Sequence, residues 1–163
     1  MCDKTEKCNM ATLYIIRGVS GSGKTTYAKE LAAKVKCAHL EADMYFTFRN
    51  GDECEYRFNP SLLPKAHEWC FNEACTELNA GRNVIVSNTF TRLWEMRNYI
   101  DFALERDCKV RIITCRSRFQ NVHGLSEDQV NKQAARFQSN AQIMQELKYD
   151  AKRFSRVIFS NHG

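Results

Sequence analysis

The sequence predicts an α/β protein: a three-layer sandwich with a five-stranded, mainly parallel sheet between layers of helices. Three observations predict it. Short apolar runs alternate with longer segments whose apolar residues recur at helical spacing, the pattern of a parallel sheet covered on both faces. The first run, Leu13-Tyr14-Ile15-Ile16, leads directly into Gly18-Val19-Ser20-Gly21-Ser22-Gly23-Lys24-Thr25, a complete phosphate-binding loop pattern of the kind that joins a strand to a helix. No Pro/Gly/Ser-rich linker divides the 163 residues, so one domain is expected over 12–163, preceded by a polar segment at 1–11.

The elements follow in order. Ala28, Leu31, Ala32 and Val35 stand at i, i+3, i+4 and i+7, which predicts a helix from the loop to about Lys36. Ala38-His39-Leu40-Glu41 is a short extended run ending just before Asp43. Tyr45 to Phe58 has mixed character, with Asn50-Gly51 as a hairpin signal. Pro60 in a first helical turn, capped by Asn59, opens a helix with the buried stripe Leu63, Ala66, Cys70 and Ala74, and Ala80-Gly81 ends it. Val84-Ile85-Val86 is the third strand of the sheet. A helix with Leu93, Met96, Ile100, Ala103 and Leu104 on one face follows the turn Ser87-Asn88-Thr89. Val110 to Ile113 is the fourth strand. Ser126 and Gln129 form a capping-box signal for one helix carrying Val130, Ala134, Phe137, Ala141, Met144 and Leu147. Val157-Ile158-Phe159 is the last strand.

Composition excludes several classes. At 44% apolar and 26% charged residues the chain is neither disordered nor built to span a bilayer, and its polar start is no secretory signal, so a cytoplasmic protein without a membrane partner is expected. The eight cysteines include no C-x-x-C pair, and Cys70, Cys75, Cys108 and Cys115 lie among apolar residues, as small buried hydrophobes do. The net charge of +5 is uneven: residues 109–163 hold ten Lys/Arg against four Asp/Glu, while residues 1–108 hold fourteen against fifteen. A basic patch of this kind suits a phosphate-rich partner, including nucleic acid, although an ordinary solvated face has the same composition.

A loop that wraps a polyphosphate brings backbone N–H groups close to anionic oxygens, which requires the freedom of Gly18, Gly21 and Gly23 and a helix N-terminus aimed at the charge. The binding set is Gly18, Ser20, Gly21, Ser22, Gly23, Lys24, Thr25 and Thr26, with Lys24 reaching the β- and γ-phosphates and the Thr25 hydroxyl taking a position on Mg²⁺. Loops after Arg17, Glu41, Val86 and Thr114 converge at the carboxyl ends of the strands, where ligands of such sheets bind. Phosphoryl transfer there needs a donor cradle, a metal, a group that takes the acceptor's proton, and positive charge on the transition state. Asp43, just past the second strand, is placed to take the proton, or else caps a turn. Glu41 shares its side of the strand, either as a supporting carboxylate or as a plain surface residue.

The third strand ends in Ser87-Asn88, where many phosphate-loop NTPases carry an acid for the metal. The metal is then left to Thr25, the nucleotide, waters, and Asp43 or the Ser87 hydroxyl, and the missing acid argues against a motor-type ATPase. Arg116, Arg118 and Arg136 flank a predicted mobile lid at about 116–137, where an arginine would meet developing charge and the lid would exclude water. His123 beside Gly124 is expected to hold the lid turn, and His67 to be a packed histidine. Tyr45, Phe46, Phe48, Tyr56 and Phe58, interleaved with Arg49 and Arg57, suit either a platform for stacking bases or, for most of the five, core packing of the hairpin.

From Leu13 to about Phe137 the chain resembles the small P-loop kinases related to the kinase domain of bacteriophage polynucleotide 5′-kinase and its cellular homologues. The matching segments are Gly18 to Thr26, Ala42-Asp43-Met44-Tyr45-Phe46, Phe58-Asn59-Pro60 with Ala66-His67-Glu68-Trp69, Val84 to Thr89, and Asn121-Val122-His123-Gly124-Leu125-Ser126. The resemblance implies a kinase-type P-loop NTPase fold, ATP as donor, Mg²⁺ as metal, Asp43 as general base for a 5′-hydroxyl, and a lid arginine on the transferred group. Three departures stand out. Relatives usually have an aspartate at the position of Ser87 or Asn88, and they commonly read Arg-Asn where this chain has Gln120-Asn121, which leaves Arg118 or Arg136 to carry the lid charge. The bacteriophage enzyme has an arginine three residues after its base, where this chain has Phe46.

The expected function is therefore an ATP-dependent kinase for the 5′-hydroxyl of a nucleic acid end, with Lys24, Asp43, Arg118 and Arg136 as catalytic residues and Thr25 and Asp43 at the metal. The alternatives are a kinase for a smaller hydroxyl acceptor, such as a nucleoside or a hydroxymethylated DNA base, and a non-catalytic ATP-binding regulator. No second catalytic domain, and so no linked 3′-phosphatase, is expected.

Overall fold

The computed structural model describes residues 11–117, 125–147 and 154–163. The phosphate loop joins β1 (Thr12–Arg17) to α1 (Lys24–Val35). β2 (Ala38–Leu40) runs into a 3-10 turn over Ala42–Phe46 that carries Asp43. The hairpin β3 (Thr47–Asn50) and β4 (Glu53–Tyr56) turns at Gly51, whose φ of 64° is the left-handed conformation that the Asn50-Gly51 signal requires. Asn59 accepts a hydrogen bond from Ser61 N at 3.1 Å, Pro60 opens a 3-10 turn, and α2 (Leu63–Asn79) follows. β5 (Val84–Ser87), α3 (Leu93–Glu105) and β6 (Lys109–Cys115) come next, then α4 (Glu127–Arg136), α5 (Asn140–Leu147) and β7 (Val157–His162).

The sheet order is β2-β5-β1-β6-β7, and every neighbouring pair is parallel. Period-two alternation in β1 divides the core. Leu13 and Ile15 join the cluster built from α2, α3 and α5, whereas Ile16 and its neighbour Tyr14 pack with Ala28, Leu31 and Val35 of α1 on the opposite face. Fully burying each such Leu or Ile contributes about 1.5–3 kcal/mol, so β1 anchors both layers. Because β1 lies between β5 and β6, the loops after β1, β2 and β5 meet at one end of the sheet.

One predicted element is corrected. The single helix expected from Ser126 to Leu147 is two helices. The capping box forms as expected, with Gln129 N donating to Ser126 Oγ at 3.2 Å, but Phe137 is extended and α4 stops at Arg136. The cause is distant. Gln138 is buried, and all its polar groups are used: its N–H donates to Thr91 O at 2.7 Å, its side-chain oxygen accepts from Leu93 N at 2.7 Å, its carbonyl accepts from Arg17 Nη2 at 2.7 Å, and its amide donates to Glu146. The break resets the helical phase, so α5 buries Ile143 and Leu147 while Met144 is 47% exposed.

Candidate active site

Gly18 sits where any Cβ would lie 2.8 Å from the Cys115 carbonyl oxygen and 2.3 Å from Ser22 Oγ, so the loop closes only on glycine there. Gly23 is left-handed at φ 86° and forms the N-cap of α1 without a side-chain cap, which leaves the helix's first N–H groups to an external anion. Lys24 Nζ donates to the Val19 carbonyl at 3.1 Å across the loop. Burial pushes Lys24 below the ordinary lysine range, and Glu41 pulls it back. Ser20 lines the cleft beyond the loop, Ser22 is buried with no hydrogen-bond partner for its Oγ among the described residues, and Thr26 is exposed.

The carboxylate beside the loop comes from β2. Glu41 Oε1 accepts from Thr25 Oγ1 at 2.7 Å and from Ser87 Oγ at 2.7 Å, and it lies 3.2 Å from His39 Nε2. Ser87 spends its only hydrogen on Glu41, so the 2.7 Å contact between His39 Nε2 and Ser87 Oγ needs a protonated Nε2. Burial alone would raise Glu41. The hydrogen bonds from His39, Ser87 and Thr25 outweigh it and hold this carboxyl down at about 2. Sequence reasoning left Glu41 undecided because its role depends on β2 lying beside β5, with Leu40 level with Val86.

A cleft of about 510 Å³ opens from this cluster. Ser20, Lys24 and Thr25 line it together with Asp43, Tyr56, Phe58, Leu63 and His67. Asp43 accepts from Tyr56 Oη at 3.2 Å; burial and the neighbouring Asp43 carboxylate push the Tyr56 phenol up to about 12. The expectation that most of the hairpin aromatics are core is overturned. Phe46 is buried and Tyr45 packs against the core, but Phe48, Tyr56 and Phe58 are half exposed, and the Tyr56 and Phe58 rings lie within 10° of parallel. The hairpin is a separate two-stranded sheet whose residues are all exposed, so it offers these rings little cover. His67 is likewise exposed on the cleft wall rather than packed. Another hollow, about 620 Å³, lies at the opposite end of the sheet, where β2 and β5 begin, away from the loop.

The arginines divide differently from expectation. Arg118 and the His123-Gly124 turn lie outside the described residues. Arg116 and Arg136 are exposed, Arg136 in the last turn of α4. That helix meets the loop through Gln133, whose Oε1 accepts from Ser20 N at 2.9 Å. Arg17, which drew no attention in the sequence, is fully buried and bonds the carbonyls of Phe90, Thr91 and Gln138. Burial pushes it down to about 10, opposed by Glu95, so it stays charged at neutral pH.

The donor set fits a nucleoside triphosphate with a magnesium ion. The uncapped helix start and Lys24 match the phosphates, and the Thr25 hydroxyl with oxygen atoms of Glu41 and Asp43 nearby matches a hard cation that takes oxygen ligands.

A family model described as AAA domain matches residues 13–152. Solved structures of similar fold include a chain of the Pnkp1/Rnl/Hen1 complex, at TM-score 0.51 and 17% identity, covering 76% of this chain and 38% of that one. Kti12 of Chaetomium thermophilum in complex with ADP-AlF3 is similar at TM-score 0.58 and 11% identity, covering 90% and 87%. The APS kinase CysC of Mycobacterium tuberculosis in complex with AMPPNP and APS is similar at TM-score 0.51 and 14% identity, covering 93% and 79%. At these identities the likeness is one of fold, and the chain spans well under half the length of the chain it matches in the Pnkp1/Rnl/Hen1 complex. The architecture is that of the kinase-type P-loop proteins. Among the described residues, no helix is long and apolar enough to cross a membrane.

Proposed function

The chain belongs to the AAA domain family, and on that premise we propose that it is an ATP-dependent kinase that phosphorylates the 5′-hydroxyl of a nucleic acid end. The observation that carries this reading is that one cleft is lined by Lys24 and Thr25 of the loop and helix start together with Asp43. A P-loop alone serves motors and switches as well as kinases. A carboxylate facing the loop across a cleft open enough for a second substrate is what a kinase needs.

In this reading the loop N–H groups and Lys24 hold the β- and γ-phosphates of ATP. Bound magnesium neutralises charge on the phosphate oxygens. Asp43 accepts the acceptor hydroxyl's proton as that oxygen attacks the γ-phosphorus, and the bond from phosphorus to the β–γ bridging oxygen breaks to release ADP. An arginine of the lid region, Arg118 or Arg136, meets the charge on the transferred group. The partly exposed pair Tyr56 and Phe58 beside Asp43 favours an acceptor with a base to stack, which agrees with the resemblance to polynucleotide 5′-kinases. The basic C-terminal third suits a polyanion.

The test is to incubate the protein with γ-labelled ATP and Mg²⁺ against 5′-hydroxyl DNA and RNA oligonucleotides, nucleosides and hydroxymethylated duplex DNA. Label confined to oligonucleotide 5′ ends supports the proposal. Label on nucleosides or internal bases assigns the acceptor to the smaller class instead, and nucleotide binding with no transfer to any acceptor points to a regulator.

A further inference from the structure

We infer that Glu41, at the end of β2, is the acid of the metal site, taking over from the adjacent strand the role that an aspartate at the end of β5 has in related proteins. The inference rests on the reading that the loop holds a magnesium-bound nucleoside triphosphate. In P-loop proteins the metal is held by the loop's Ser or Thr hydroxyl together with an acid on a neighbouring strand. In this chain β5 ends in Ser87 and is followed by Asn88, and neither carries charge. Asn88 is committed elsewhere, its side-chain oxygen accepting from Ala42 N at 3.0 Å.

The contacts of Glu41 are those such an acid requires. It touches the loop threonine directly, 2.7 Å from Thr25 Oγ1, so the Thr25 hydrogen is turned toward Glu41 and the oxygen's lone pairs are left for a cation. It touches Ser87 at 2.7 Å, so its carboxylate lies against the very position where the aspartate is missing. β2 pairs with β5 in parallel register up to Leu40 and Val86, so Glu41 and Ser87 occupy matching places one strand apart. His39 Nε2 lies within 3.2 Å of Glu41 and 2.7 Å of Ser87, and it can support a carboxylate on either strand. Glu41 is thereby distinct in role from Asp43, which lines the cleft beside Tyr56.

The test measures binding, not turnover. The affinity of the native protein for a non-hydrolysable ATP analogue is compared with and without Mg²⁺, and Mn²⁺ bound with the analogue is followed by water-proton relaxation. Native protein is expected to bind the analogue at least about tenfold more tightly with Mg²⁺. Glu41→Gln is expected to keep the metal-free affinity but lose most of that gain and the Mn²⁺ relaxation signal. Glu41→Gln combined with Ser87→Asp is expected to recover both. Glu41→Ala is expected to lose the same gain, which holds the inference open to test should Glu41→Gln fold poorly. A folded Glu41→Gln or Glu41→Ala protein that retains the full gain, or a folded double variant that recovers none of it, would overturn the inference. A native protein that binds no nucleotide would instead remove the functional reading on which it rests.

Discussion

Arg17 Nη2 donates a hydrogen bond to the Gln138 carbonyl at 2.7 Å, across 121 residues of sequence. The last residue of β1, one position before the phosphate loop, thus fixes the break between α4, within the predicted lid, and α5. Its guanidinium also bonds the carbonyls of Phe90 and Thr91 and lies 4.0 Å over the Phe137 ring. Removing it would strand two buried carbonyls, those of Phe90 and Gln138, while Thr91 O keeps the Gln138 N–H. Arg17→Met is expected to cost about 3–5 kcal/mol in urea unfolding. Arg17→Lys should recover only a minor part, because one ammonium cannot reproduce the planar fork. A loss below about 1 kcal/mol would show that the network carries no weight.

Glu41 makes stability depend on acid pH. Its folded carboxyl is held at about 2, below its ordinary 4.5, so its contribution is complete above pH 4.5 and disappears as pH falls from there toward 2. At about 1.4 kcal/mol per unit this is at most roughly 3 kcal/mol. Chemical denaturation between pH 6 and pH 2.5 should show the loss in the native protein and a flatter profile in Glu41→Gln. Parallel profiles would contradict the assignment.

Gly18→Ala places a methyl group 2.8 Å from a backbone oxygen that cannot move aside without shifting β6. A cost of about 1–3 kcal/mol in stability and at least a tenfold loss of nucleotide affinity are expected, by thermal melting and titration with an ATP analogue. Unchanged nucleotide affinity would mean that the loop closes in another way.

In the proposed reaction Tyr56 and Phe58 stack the acceptor and leave ATP binding alone. Base stacking contributes about 1–3 kcal/mol per base, so Phe58→Ala is expected to raise the KM for an oligonucleotide acceptor at least fivefold while the KM for ATP is unchanged. Equal effects on both substrates would place these rings in the scaffold.

Much of this was legible from the chain. β1, the loop, α1, α2 and α3 follow from local periodicity and turn chemistry, which bury the residues that the spacing marks: Ala28, Ala66, Cys70, Ala74, Met96 and Ile100. The division of the last helical stretch was not legible, because apolar spacing continues across Phe137 to Leu147 and the break is imposed by Arg17, far away in sequence. Glu41 was ambiguous for a similar reason. A glutamate after a short strand is a surface residue or a site residue according to which strand lies beside it, and the order β2-β5-β1 is a tertiary property. The hairpin aromatics were misjudged because alternation locates a strand pair without saying what covers it.

The central claim is that this cleft transfers the γ-phosphate of ATP to an acceptor hydroxyl with Asp43 taking the proton. Its most direct measurement is single-turnover transfer from γ-labelled ATP to a 5′-hydroxyl oligonucleotide, run side by side for the native and Asp43→Asn proteins with ATP affinity measured on both. Labelled 5′ ends are expected from the native protein and a rate at least about 10²-fold lower from Asp43→Asn, with ATP affinity within twofold. Equal rates, or label released only as inorganic phosphate, would contradict it.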